Sequence, residues 1–210
     1  MVCGGITAVK WWANKNAEED KARIDSLLED LSTISARRLV VLSTVDVYPR
    51  ILGTNESFDC RSETNHAYGT NRLYFEEAAG KLFEDTTVVR IAGIFGQGLK
   101  KNVIFDLMHD NCLENINPAS SFQYYNVGNL WRDVVRAREA GLRLVNFVTE
   151  PVATRSIIDR FFSGKAVGAN AATVAHYDIR TLHSAVFQGP EGYLASSETV
   201  LNELGEFIGK

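Results

Sequence analysis

Leu42-Ser43-Thr44-Val45-Asp46-Val47-Tyr48 is the most informative segment of the sequence, and a second segment, Tyr68-Gly69-Thr70-Asn71-Arg72, follows it after a loop. The first closes a longer apolar run and predicts a strand buried on both faces, as in a parallel sheet. The second opens a predicted helix on which Tyr68 and Arg72 share one face, one turn apart. Because parallel strands present ligand-binding groups at their carboxyl ends, Thr44 and Tyr68 are predicted to meet there.

A hydroxyl, a phenol and a cation in this arrangement suit proton transfer. An ordinary tyrosine has a pKa of about 10, which is too high for a base at neutral pH. A cation within about 4–6 Å lowers the pKa of an acid, so Arg72 would favour the ionised form of Tyr68. The hydroxyl of Thr44 would hydrogen-bond a substrate oxygen while Tyr68 exchanges a proton with it. Tyrosine and arginine also occur at this spacing by chance, so this pair alone does not establish a proton-transfer site. The surrounding sequence supplies the further signal.

Composition and charge limit the class of protein. The 210 residues, 45% of them hydrophobic and 23% charged, suffice for one domain with a substantial core. The net charge of −4 and the lack of a basic run argue against a nucleic-acid partner. No apolar stretch reaches the roughly 20 residues that cross a membrane, and the amino terminus lacks a signal-peptide pattern, so a cytoplasmic protein with no membrane partner is expected.

Cysteines and histidines give no sign of a disulfide framework or a metal centre. Cys3, Cys60 and Cys112 are odd in number and widely spaced, so we expect reduced thiols that pack as small buried side chains. The four histidines show no metal-ligand spacing with each other or with the cysteines, and no metal site is expected.

The apolar pattern alternates between short strands and helices, which predicts an α/β fold with a parallel sheet. Helices are predicted over residues 18–35, 68–82, 103–108, 130–140 and 154–162, and after a cap at Ser196 or Ser197. Strands are predicted over residues 38–42, 87–92, 122–125 and 142–148. We divide the chain into a partial α/β core, residues 1–98, and residues 99–210, which add the remaining core elements and a small C-terminal lobe.

Four segments occur in a specific order: Cys3-Gly4-Gly5, residues 42–48, residues 67–72 and Val89-Arg90-Ile91-Ala92-Gly93-Ile94-Phe95-Gly96. In this order they resemble the extended short-chain dehydrogenases/reductases, the NAD-dependent epimerases and dehydratases that act largely on nucleotide sugars. They are similar to that family's fourth strand, its S-S/T-x-x-V-Y strand end, its Y-G-x-x-K helix and its R-x-x-x-x-y-G strand. The resemblance implies a Rossmann-like, doubly wound parallel sheet with a small C-terminal substrate lobe.

The resemblance also implies roles for individual residues. Thr44 takes the serine/threonine role, Tyr68 that of the general acid/base, and Arg72 that of the lysine that binds the ribose and steadies the tyrosinate. The implied cofactor is NAD or NADP, and the implied substrate is sugar-like. The implied cofactor-binding residues are Cys3, Gly4, Gly5, Tyr68, Arg72, Ala92, Gly93 and Ile94. Gly93 stands where many sugar-nucleotide epimerases carry an asparagine, and Asp46 fills only the second place of the dehydratases' acidic pair.

The glycine-rich motif G-x-x-G-x-x-G, which binds the pyrophosphate in this family, occurs nowhere in the sequence. The family carries it in an initial β-α-β-α-β unit, of which about 60–70 residues are expected to be missing. Three explanations stay open: a truncated reading frame of an active enzyme; a missing half supplied by a partner or by self-association through the open sheet edge; and a non-catalytic binding remnant that cannot hold the dinucleotide. The favoured function is NAD(P)-dependent epimerisation, dehydration or reduction of a sugar-like substrate.

Overall fold

A computed structural model describes residues 2–6 and 8–209. Within these residues the strands are β1 (Val2–Gly4), β2 (Arg38–Thr44), β3 (Asp85–Ile91), β4 (Gly93–Phe95), β5 (Ser121–Phe122), β6 (Tyr124–Asn126), β7 (Leu144–Phe147) and β8 (Val152–Ala153). The helices are α1 (Lys10–Lys15), α2 (Ala17–Ser32), α3 (Ala67–Leu82), α4 (Val103–His109), α5 (Leu130–Glu139), α6 (Thr154–Phe161), α7 (Ser184–Phe187) and α8 (Ser197–Ile208).

The main sheet is parallel, in the order β1-β2-β3-β7 among the described residues. Successive side chains of a strand point to opposite faces, and both faces here are apolar. Leu39 and Val41 pack against α2 and α3, whereas Val40 and Val89 pack on the other face against α5. This two-sided burial is why β2 has the near-continuous apolar sequence that predicted it.

The second half of the chain adds to the main sheet and builds two small ones. Strand β7 pairs with β3, while β4 pairs with β6 in parallel and β5 with β8 in antiparallel orientation. A separate apolar core lies among these elements and includes Ile104, Leu107, Ile157 and Leu204. Helix α8 begins at the predicted cap, where the Ser196 Oγ accepts the Thr199 N–H at 3.2 Å. Every helix in the part of the chain that the structure describes is too short or too polar to cross a bilayer.

The expectation that all three cysteines are buried is wrong for two of them. Cys60 is buried, but Cys3 and Cys112 are exposed. Cys3 lies on β1, the edge strand of the described sheet, and Cys112 lies in the turn after α4. All three are free thiols.

Candidate active site

Thr44 is the last residue of β2, at the carboxyl edge of the main sheet. Its Oγ1 accepts the backbone N–H of Asp46 at 3.1 Å and so caps the 3₁₀ turn Val45–Val47. A hydroxyl accepts through its oxygen and donates through its hydrogen, so this bond leaves the Thr44 hydrogen free to point elsewhere. The Thr44 hydroxyl lies close enough to the phenol of Tyr68 to lower the pKa of that phenol. The structure therefore brings together the two hydroxyls that the sequence predicted to meet.

Tyr68 is held at the start of α3 by several short-range contacts. The His66 Nδ1 caps the helix by accepting the Gly69 N–H at 3.0 Å, and the Asn14 side chain accepts the Tyr68 N–H at 2.8 Å. These bonds satisfy amide groups in the first turn that have no partner within the helix. The position of the phenol is consequently fixed by α1 and by the loop before α3.

Gly69 explains why the helix can approach the turn after Thr44 so closely. A Cβ at this position would lie 2.2 Å from the carbonyl oxygen of Asp46 and 2.4 Å from the Nδ2 of Asn65. That Nδ2 donates to the carbonyl oxygens of Asp46 and Val47, at 2.9 and 3.0 Å. The glycine thus lets α3 pack against the end of β2, which sets the Thr44–Tyr68 contact.

Arg72 lies next to Tyr68 but is withdrawn from solvent, with 2% of its side chain exposed. Its guanidinium carbon is 4.5 Å from the centre of the Tyr68 ring, a cation–π contact. Both terminal nitrogens donate to the fully buried Asp20 of α2 at 2.9 Å, and Asn71 donates to the same carboxylate. Among the described residues, the Arg72 Nε finds no hydrogen-bond partner. This geometry supports an electrostatic role for Arg72 beneath the ring of Tyr68. It supports direct contact between Arg72 and a ligand less well.

The pKa of the Tyr68 phenol lies above its ordinary value of 10.0. Burial is the largest cause, and the charge of Asp46 adds to it. The Arg72 charge and the Thr44 hydroxyl act in the opposite direction but do not outweigh burial. In the state described by the structure, Tyr68 is therefore protonated at neutral pH and is a proton donor.

Two further residues reach the same edge of the sheet and were not predicted as site residues. Lys10, at the start of α1, has its Nζ 2.6 Å from the Oδ1 of Asp46, and the phenol of Tyr177 lies near the same ammonium group. Although burial lowers it, Asp46 and Tyr177 hold the pKa of Lys10 above its ordinary value. The sequence signal is weak, because α1 is short and Tyr177 follows in an irregular segment.

The expected cofactor-binding residues form two strips at this edge. Gly4 ends β1 and Gly5 follows it, so close to β2 that a Cβ on Gly5 would be 2.3 Å from the Leu42 carbonyl oxygen. Ala92 follows β3, and Gly93 and Ile94 are exposed on β4. A Cβ at Gly4 would meet nothing within 4 Å. Small and apolar residues next to Thr44 and Tyr68 fit the nicotinamide end of a dinucleotide.

Two cavities lie elsewhere on the molecule. One, of about 310 Å³, is lined by residues that include Cys60, Glu76 and Arg90. The other, of about 410 Å³, is lined by residues 50, 52–55 and 57–59. Neither lining includes Thr44 or Tyr68, so the candidate site is distinct from both.

Comparison with known proteins gives matches of structure only. No protein-family model matches the sequence, and the curated proteins contain no match. UDP-glucuronic acid 4-epimerase from Bacillus cereus, with UDP-glucuronic acid and NAD, aligns with a TM-score of 0.63 and 18% identity, over 89% of this chain and 66% of its own. RMD from Pseudomonas aeruginosa, complexed with NADPH, gives 0.69 and 12%, over 100% and 81%. UDP-glucose 4-epimerase from Thermotoga maritima, with UDP-glucose, gives 0.66 and 13%, over 99% and 76%.

The chain has the fold of the extended short-chain dehydrogenases/reductases. The predicted α/β, Rossmann-like parallel sheet is thereby confirmed. At these identities the likeness establishes the extended short-chain dehydrogenase/reductase fold alone. The chain spans 66% of the length of the Bacillus cereus epimerase, and activity, substrate and cofactor are matters for proposal.

Proposed function

We propose that this chain takes part in NAD(P)-dependent epimerisation or oxidoreduction of a sugar-like substrate, with nucleotide sugars as the favoured class. The observation that carries the proposal is the approach of the Thr44 hydroxyl to the Tyr68 phenol at the carboxyl edge of the sheet. The complexes with UDP-sugars and NAD or NADPH among proteins of the same fold add support from outside the chain.

In this proposal Tyr68 exchanges a proton with a substrate oxygen, and Thr44 holds that oxygen and the phenol in line. Since the phenol is protonated at neutral pH, its first role is to donate a proton to a carbonyl oxygen. Removing a proton from a substrate hydroxyl requires the phenolate, which Thr44 and Arg72 both favour. Arg72 supplies its charge from beneath the ring, where Asp20 fixes it.

A nicotinamide dinucleotide, when bound, supplies the hydride acceptor or donor. Cys3, Gly4 and Gly5 on one side and Ala92, Gly93 and Ile94 on the other are the residues proposed to hold its nicotinamide end. The glycines and the alanine among them allow a flat ring to approach the backbone. Turnover with NAD⁺ or with NADP⁺ distinguishes the two cofactors.

A non-catalytic binding protein is the second candidate function. The observation that favours it is the lack of the motif G-x-x-G-x-x-G from the sequence, since backbone amides of such a loop bind the pyrophosphate. In that case the Thr44–Tyr68 pair would be retained as part of a binding site. A cytoplasmic location and self-association through the edge of β1 stay predictions under either function.

Turnover separates the two functions. The protein is incubated with NAD⁺ or NADP⁺ and with UDP-glucose or UDP-glucuronic acid, and reduced nicotinamide and epimeric products are measured. We expect Tyr68→Phe to lower the rate by about 10²–10⁴-fold. Tyr74→Phe, on the same helix, is the control and is expected to have no effect. Unchanged rates in Tyr68→Phe, or no turnover together with no dinucleotide binding by calorimetry, would contradict the enzymatic function.

A further inference from the structure

Lys10 and Asp46 form an ion pair beside Thr44 that is open to solvent. Their side chains are 40% and 19% exposed, and the Lys10 Nζ lies 2.6 Å from the Asp46 Oδ1. The Thr44 Oγ1 accepts the Asp46 N–H, so the pair is tied to the residue that contacts Tyr68. The phenol of Tyr177, from the C-terminal half of the chain, lies near the same ammonium group. The pair therefore lies beside the Thr44–Tyr68 site that the proposed function uses.

Arg72 is placed differently from Lys10. The buried Asp20 binds both terminal nitrogens of Arg72, and the Tyr68 ring lies over its guanidinium. Between these two cations, Lys10 is the one whose side chain reaches solvent. A ligand at this site would therefore contact Lys10, whereas Arg72 is shielded from it.

An ammonium and a carboxylate side by side match two adjacent hydroxyl groups. The ammonium donates up to three hydrogen bonds, and the carboxylate accepts at two oxygens. Lys10 engages the Oδ1 of Asp46, and the Oδ2 accepts none of the hydrogen bonds found among the described residues. One hydroxyl can donate to Asp46 while its neighbour accepts from Lys10. An anionic group such as phosphate fits less well, because Asp46 would repel it.

We propose that the Lys10–Asp46 pair binds a vicinal diol of the ligand and positions the adjacent carbon at Tyr68. This inference rests on the proposed function and names the group of the ligand that the pair binds. The diol belongs either to the hexose ring of a nucleotide sugar or to the ribose of a dinucleotide. The two sources share the same hydroxyl chemistry and differ in which ligand loses affinity when the pair is removed.

Calorimetric titration with UDP-glucose, UDP and NAD⁺ tests the proposal on the wild type, Lys10→Met and Asp46→Asn. Loss of a charged hydrogen-bond partner is expected to weaken binding of the diol-bearing ligand about tenfold. If the hexose is bound, UDP-glucose loses affinity and UDP does not; if the ribose of the dinucleotide is bound, NAD⁺ loses affinity. Lys15→Met is the matched control, since Lys15 is exposed at the end of the same helix.

Several results would overturn the proposal. Unchanged affinities in both variants would do so, as would an equal loss in Lys15→Met. An equal loss for UDP and UDP-glucose, with no loss for NAD⁺, would show that the pair contacts the UDP part of the ligand and binds neither the hexose nor the ribose of the dinucleotide. If the wild type binds these ligands and the Lys10 variant binds equally well, the inference alone fails. If the wild type binds neither UDP-glucose nor NAD⁺, the proposed function fails with it.

Discussion

The guanidinium of Arg72 lies against the phenol ring of Tyr68, 4.5 Å from the ring centre, while Asp20 binds both of its terminal nitrogens. The cation and its counterion are both buried. Such a pair contributes little net stability by itself, because desolvation offsets the attraction between the charges. It does fix the position of Arg72, and through Arg72 it acts on Tyr68.

Replacement of Asp20 is expected to be costly. Asp20→Asn leaves the Arg72 guanidinium buried without a counterion, which should lower the free energy of unfolding by about 3–5 kcal/mol in urea denaturation. Glu29→Gln, an exposed change on the same helix, should alter it by less than about 0.5 kcal/mol. Similar small changes in both variants would show that Arg72 does not depend on Asp20.

Two glycines of α3 give opposite expectations for the same substitution. Gly69→Ala places a methyl group 2.2 Å from the Asp46 carbonyl oxygen, so the helix start has to move and the protein should lose about 1–3 kcal/mol. Gly80→Ala has open space around the new Cβ and should gain roughly 0.5–1 kcal/mol from helix propensity. Thermal and urea unfolding measure both changes. Equal effects would mean that α3 does not pack tightly against the turn after Thr44.

Alkaline pH should reveal the burial of Tyr48. Burial raises its pKa to about 12, from an ordinary value of 10.0, and its hydroxyl donates to the Asn146 Oδ1 at 3.0 Å. The folded state holds this proton more tightly than the unfolded chain. Its contribution to stability is therefore complete below pH 10 and is lost as the pH rises through about 12.

The measurement for Tyr48 is urea denaturation at a series of pH values across that window. The wild type should lose stability as the pH rises, and Tyr48→Phe should lose less because the phenol is gone. Other buried tyrosines keep some pH dependence in the variant, since the pKa of Tyr193 is also raised to about 12 by burial and by Asp178. Parallel curves for the two proteins would contradict the assignment.

The sequence predicted the regular elements that carry their own signals. Strands β2 and β3 are apolar on both faces, and α8 has a serine cap and an apolar stripe. It did not predict α1, in which Val9 precedes the helix without a side-chain cap and no acidic residue lies in the first turn. Helix α7 has four residues, too few for any periodicity.

The candidate site was predictable to a similar degree. Thr44 and Tyr68 lie on regular elements with fixed positions at the edge of a parallel sheet, so their convergence followed from topology. The burial of Arg72 could not be predicted, because Asp20 lies on another helix and no local pattern links the two. Lys10 was missed for a related reason, since its partner Asp46 is distant in sequence.

We propose that the hydroxyls of Thr44 and Tyr68 form one proton-transfer unit. In such a unit the pKa of Tyr68 depends on Thr44, so titration of Tyr68 is the decisive measurement. The phenol is followed by NMR of tyrosine labelled with carbon-13, with Tyr68→Phe assigning the signal. Thr44→Val should raise the pKa of Tyr68 above that of the wild type, because the nearby Thr44 hydroxyl, which lowers that pKa, is lost. Ser43→Ala removes the neighbouring hydroxyl, which contacts Glu76, and should leave the pKa unchanged. An identical pKa of Tyr68 in the wild type and in Thr44→Val would contradict the account.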